Sequence, residues 1–307
     1  MRIHIAGEPP LENDGLLRLF AIAERIKTVY KSIGGKNYLQ EILAGSTIAL
    51  LCYESGCRVY GGFSLAAKML GAEVFSHKGM RQVSSVKGEA LEDDIRTLAA
   101  WPPISAMVLC HPEEEALEKA TKITTRLGKN IPIASVGNDS IQAYADVYTL
   151  WRHGTERMRS GQLCGVVVGN TQKARVIYSF LTTMSFFHPK LYLVTPDRLP
   201  KLVRDSLLKQ GTSITQAQRF QEHMAREASF YYLTKTEPQA DKVMALARQD
   251  AIFLHSGPIR AEMPESVKWD SRFKYDQQIE NALWIQAALL KLLLNPEFAL
   301  DAQRSQK

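Results

Sequence analysis

Short apolar runs of strand length alternate with amphipathic stretches of helical period, and the alternation is played twice along the chain. The first round has apolar runs at 46–53 (STIALLCY), 73–76, 106–110 (AMVLC) and 131–135. Helical patterns lie between them at 16–33, 63–70, 91–100 and 113–127. Runs that are apolar throughout, instead of alternating apolar with polar, are those of strands covered on both faces. A helix at 140–152 then leads to a second round. Strands are expected there at 163–168, 191–195, 230–234 and 252–255, with a helix from about residue 174 and a last one over 277–294. Strand–helix alternation of this kind specifies parallel sheets flanked by helices. The expected fold class is therefore α/β, two doubly wound parallel-sheet domains. The domains are expected at 1–150 and 151–276, with the C-terminal helix, 277–300, packing back on the first.

In such sheets ligands sit beyond the carboxyl ends of the strands, so the loops following those ends carry the chemistry. The first holds Glu54-Ser-Gly-Cys57-Arg58-Val-Tyr-Gly-Gly-Phe63. Its glycines let backbone approach a ligand, the helix start behind them favours an anion, and Arg58 offers a bidentate grip on phosphate. The same residues also read as a plain Gly-rich turn with a surface arginine. His111-Pro112 after residue 110, Asn138-Asp139-Ser140 after 135 and His255-Ser-Gly257-Pro258 after 254 are each explicable as turn or cap signals. Cys57 and Cys110 read first as small buried hydrophobes, the commoner fate of a free cysteine, with a thiol or metal pair as the lesser alternative.

Composition narrows the function classes. The net charge is +6 with no run of basic residues, which suits an anionic substrate better than a nucleic acid, for which no recognition motif is present. No window is apolar for long enough to span a membrane, and the start, MRIHIAGEPP, lacks the apolar centre of a secretion signal. Four cysteines without CxxC spacing give neither a zinc motif nor a disulfide framework. A cytoplasmic protein without metal or cofactor is expected.

Taken in order, these segments resemble the aspartate/ornithine carbamoyltransferase family, the aspartate branch most closely. The family's E-x-S-T-R-T-R-x-S-F loop and following A-x-x-x-L-G align with Glu54, Arg58, Phe63, Ala66, Leu70 and Gly71 without a gap. Its V-x-R-H-P matches Val108-Leu-Cys110-His111-Pro112, and its K-K-G-E matches Val86-Lys87-Gly88-Glu89. The H-P-T-Q segment and its trailing motif match Asp139-Ser-Ile-Gln142 and Asp146-Val-Tyr-Thr149. G-R-T-x-x-S-L matches Ala174-Arg175-Val-Ile-Tyr-Ser179-Phe180, H-P-L-P matches His255-Ser-Gly257-Pro258, and Y-x-x-Q-x-x-N-G matches Tyr275-Asp-Gln-Gln278-Ile-Glu-Asn281-Ala282.

The resemblance implies a carbamoyltransferase fold and a homotrimer with active sites shared between subunits. It implies two small anionic ligands, an acyl phosphate and an amino-acid-like acceptor. The catalytic set it implies is Arg58, Gln142 and Lys87, the last reaching in from a neighbouring subunit. Cys57, Cys110, Asp139, Arg175, Lys235, His255, Gly257 and Pro258 fall at substrate-binding positions. The donors are altered, however. Gly56, Cys57 and Val59 replace the loop hydroxyls, Tyr60 the second loop arginine, Cys110 the arginine of R-H-P, and Asp139 the histidine of H-P-T-Q. Lys235 stands for the arginine that grips the amino acid. Three readings follow: a divergent transferase of weak or absent aspartate carbamoylation, an inactive paralogue acting as a regulatory or scaffold subunit, and an ordinary aspartate carbamoyltransferase with remodelled loops.

Overall fold

The computed structural model describes residues 13–53, 58–78, 91–111, 113, 115–129, 131–135, 140–169, 175–234, 240–259 and 263–300, with the side chains of residues 13, 58, 77, 78 and 175 outside that description. It divides into two units, Met1–Ile141 with Ala282–Lys307, and Gln142–Asn281.

In the first unit β1 (Thr47–Cys52), β2 (Glu73–Lys78), β3 (Ile104–Cys110) and β4 (Ile133–Ser135) form a parallel sheet of order β2-β1-β3-β4. The helices are α1 (Asn13–Lys31), α2 (Gly35–Gln40), α3 (Arg58–Met69), α4 (Leu91–Ala100) and α5 (Ala116–Arg126). One sheet face carries Ala49, Leu51, Met107 and Leu109 against Ile95 and Leu98 of α4 and Ala120 and Ile123 of α5. These side chains are almost wholly removed from water. At roughly 1.5–3 kcal/mol for each large one, this burial is what selects strands over any exposed alternative.

In the second unit β5 (Cys164–Val168), β6 (Lys190–Val194), β7 (Ser213–Ala217), β8 (Phe230–Leu233) and β9 (Ile252–His255) form a parallel sheet of order β7-β6-β5-β8-β9. Its helices are α6 (Ser140–Arg159), α7 (Arg175–Ser185), α8 (Lys201–Lys209), α9 (Glu222–Glu227), α10 (Ala240–Leu246) and α11 (Glu265–Lys268). Helix α12 (Tyr275–Leu294) begins in the second unit and from Ala282 belongs to the first. On one face Val166, Tyr231, Leu233 and Phe253 meet Met224 of α9, Val243 and Met244 of α10 and Val267 of α11. On the other, Tyr232 stacks on Phe180 of α7, with ring centroids 4.0 Å apart.

Both sheets are of the doubly wound kind. Each has one place where consecutive connections run off in opposite directions, between β1 and β3 in the first and between β5 and β8 in the second. Every strand expected from the apolar runs is present, β9 and α4 with the expected bounds. Two differences are instructive. Helix α3 starts at Arg58 and not at residue 63, so Gly61 and Gly62 are helical. The edge strand β7, SITQA, carries no fully buried residue and so lacks the apolar run that marked the others.

Candidate functional site

The switch point of the first sheet is the join between the ends of β1 and β3. Cys52 and Cys110, the last residues of these strands, are register partners, and both are buried. The pairing continues one step further, with Tyr53 N–H donating to the Cys110 carbonyl at 2.9 Å. The Tyr53 hydroxyl donates to Asp94 Oδ2 at 2.6 Å. Burial, then that bond to a carboxylate, drives its ionisation well above the ordinary phenol range, so it is a fixed donor and not a base. His111 packs its ring edge-on to Tyr53, 4.7 Å between centroids, and its Nδ1 accepts the Glu113 N–H at 3.1 Å. That bond makes His111 the organiser of its own turn.

Helix α3 opens immediately after the first loop, with Arg58 as its first residue. Its first turn is held by α12: Gln286 Nε2 donates to the Val59 carbonyl at 3.3 Å. A Cβ on Gly62 would lie 2.0 Å from Gln286 Oε1. Glycine at 62 lets that amide approach, so this one of the two loop glycines serves close helix packing.

In the second unit, Gly169 follows β5 at φ 143. A Cβ there would lie 1.6 Å from Thr234 Oγ1, whose own hydroxyl donates to the Val168 carbonyl at 3.1 Å. Arg175 opens α7 as Arg58 opens α3, so each of the two arginines retained from the family pattern begins the helix that follows a central strand.

The expected residues Gln142, His255 and Gly257 are joined by one largely buried hydrogen-bond network, and Pro258 follows it at the surface. Gln142 Nε2 donates to Asp146 Oδ1 at 2.7 Å, one helical turn on. Gln278 Nε2 donates to the same oxygen at 2.6 Å and also lies 3.1 Å from the His255 carbonyl. Tyr232 OH donates to Asp146 Oδ2 at 2.8 Å. Gln278 Oε1 accepts the His255 N–H at 3.0 Å. His255 Nδ1 accepts the Gly257 N–H at 2.8 Å, so in the neutral ring the proton sits on Nε2. Gly257 adopts φ 61, and the Gly257–Pro258 peptide is cis, with Pro258 at the surface. The side chain of His255 is thereby a brace inside the loop that presents Gly257 and Pro258. Asp146, Gln278 and Tyr232, none of them singled out as site residues in the sequence, are what hold it. The available signals were the matched motifs in which Asp146 and Gln278 stand, and a carboxylate set in an otherwise apolar helical run, one turn after Gln142.

Cys110 is at the end of β3 in the first unit, and the Gln142–His255 network is in the second. Cys57, Lys87, Asp139 and Lys235, and the side chains of Arg58 and Arg175, lie outside the described residues. Among the described residues no group of three or more His, Cys, Asp or Glu is placed to hold a metal, and no helix is long and apolar enough to cross a membrane.

Residues 4–152 match the aspartate/ornithine carbamoyltransferase, carbamoyl-P binding domain. The chain is 29% identical to the chloroplastic aspartate carbamoyltransferase of Arabidopsis thaliana, over 92% of this chain and 75% of that one. It is 25% identical to the aspartate carbamoyltransferase catalytic subunit of Methanopyrus kandleri, over 91% of this chain and 93% of that one. It is 28% identical to the multifunctional protein pyr-3 of Neurospora crassa over 96% of its own length, yet it spans only 16% of that protein. In fold it superposes on aspartate transcarbamoylase from Trypanosoma cruzi in complex with carbamoyl phosphate with a TM-score of 0.80 at 23% identity, covering 95% of this chain and 96% of that one.

Proposed function

Since the chain belongs to the aspartate/ornithine carbamoyltransferase family, we propose that it transfers a carbamoyl or related acyl group from an acyl phosphate to the amino group of an amino-acid-like acceptor, with aspartate carbamoylation from carbamoyl phosphate weak or lost. In this reading the first domain holds the donor through Arg58 and Lys87, and the second holds the acceptor carboxylate through Arg175 and Lys235. The acceptor nitrogen attacks the acyl carbon, phosphate leaves, and charge gathers on the carbonyl oxygen. Such a reaction is accelerated chiefly by positioning and by fixed donors facing that oxygen.

One observation carries the divergence. Cys110, buried at the switch point of the first sheet, takes the position at which the family pattern has a phosphate-gripping arginine. A neutral thiol supplies no charge-assisted bond to a dianion. Asp139 in place of a histidine exchanges a donor for an acceptor and adds a like charge. Loss of one such donor costs about 3–4 kcal/mol of transition-state stabilisation, and the losses do not add simply.

The inactive-paralogue reading is favoured by a different observation. The Gln142 amide is spent on Asp146 in a network of framework residues, so its presence does not by itself require catalysis. Calorimetric titration with carbamoyl phosphate at low salt separates the two. The divergent transferase binds weakly, and the double reversion Cys110→Arg with Asp139→His tightens binding at least tenfold. An unchanged affinity in the double variant removes this account of the lost donors. Arg175→Ala abolishes binding of whichever amino acid the protein accepts. Failure of every amino acid and acyl phosphate to bind the unaltered protein leaves the paralogue reading. The assembly proposed with either reading is a homotrimer, with active sites shared between subunits in the transferase.

A further inference from the structure

We propose that Cys52 and Cys110 form a dithiol that hydrogen peroxide converts to an intrachain disulfide, making the switch point of the first sheet a site of oxidative modification. The two residues are register partners on adjacent parallel strands and end those strands. Partners across a parallel ladder project to the same face, and neighbouring strands lie about 4.8 Å apart. That spacing is inside the range of roughly 4.4–6.8 Å found between the α-carbons of disulfides. Leu51, Tyr53 and Leu109 turn to the α4–α5 face, so by strand alternation Cys52 and Cys110 both turn to the opposite one. Their β-carbons must close to about 3.8 Å to be bridged. Because both are terminal strand residues, the closure bends strand ends and not the middle of the ladder. Cys57, which the sequence offers as the other partner for Cys110, is not needed.

Cys164 makes a contrast. It begins β5 in the second unit, and burial pushes its thiol up to about 11. Its register partner on β6 is Lys190, not a cysteine.

The chemistry balances with the oxidant alone. The sulfur of one cysteine attacks the peroxide O–O bond, water leaves, and a sulfenic acid forms. The second thiol attacks that sulfur, the S–S bond forms, and a second water leaves. Two thiols are oxidised and one peroxide is reduced. With Cys52 6% and Cys110 4% exposed, a small neutral oxidant reaches the pair and a bulky one such as oxidised glutathione does not.

The test is peptide mapping of the full-length folded protein after peroxide treatment, blocking of remaining thiols and digestion without reductant. A Cys52–Cys110 crosslinked peptide is expected, with two of the four thiols lost to titration. The crosslink persists in the Cys57→Ser/Cys164→Ser double variant, which leaves both strand ends intact, and is absent after Cys52→Ser. Oxidised glutathione produces no such crosslink at equal exposure. A Cys57–Cys110 crosslink, sulfinic acid at either residue without a crosslink, or unreacted Cys52 and Cys110 in excess peroxide would each overturn the proposal.

Discussion

Asp146 shows what a single residue contributes. It is fully buried and accepts from Gln142, Gln278 and Tyr232. Asp146→Ala strands the buried Tyr232 hydroxyl and weakens the hold on the Gln278 amide, which keeps the His255 carbonyl, and on the half-buried Gln142 amide. At about 1–3 kcal/mol for a stranded buried donor, a loss of more than ~3 kcal/mol in all is expected in urea denaturation. Tyr232→Phe keeps the stack on Phe180 and gives up one hydrogen bond to a carboxylate, about 1.5–3 kcal/mol. If Asp146→Ala costs no more than Tyr232→Phe, Asp146 is not the centre of the network. Residues of this sort were only half legible beforehand. Gln142 and His255 stood out through the family pattern. The bond from Gln278 to Asp146 joins positions 132 residues apart, and no local pattern announces that.

At the scale of elements, the first turn of α3 makes the sharpest case. Gly61 and Gly62 look alike in sequence, and both read as loop. In the structure a Cβ on Gly61 meets open space, whereas one on Gly62 strikes Gln286. Gly61→Ala is therefore expected to stabilise the protein by about 0.4–1 kcal/mol, through a better helix former and a less flexible unfolded chain. Gly62→Ala is expected to forfeit that gain, because the Gln286 amide must swing aside and give up its bond to the Val59 carbonyl, about 0.5–1.5 kcal/mol. Equal effects at the two glycines in thermal unfolding would contradict the packing of α12 on α3. Strands covered on both faces could be read from their apolar runs. The edge strand β7 could not, and neither could the short α2, α9 and α11, because elements that bury little need no apolar pattern.

For the whole molecule, the proposed homotrimer predicts a sedimentation mass three times the 34.4 kDa of the chain. A monomer at micromolar concentration would remove the shared active site and with it the proposed role of Lys87. The α/β class follows from the sequence alone, because strands shielded on both faces must be apolar throughout and helices beside them must be amphipathic. The resemblance to the aspartate/ornithine carbamoyltransferase family was legible in the order and spacing of its motifs along the chain. Strand order follows from neither. Periodicity says that a segment is a strand and is silent on which strand lies beside it. Only the tertiary structure set β3 against β1 and β8 against β5, and thereby placed Cys110 beside Cys52. Only it brought Gln278 of the last helix to Asp146, since a buried polar group takes whatever partner the packed chain carries to it, at any distance in sequence.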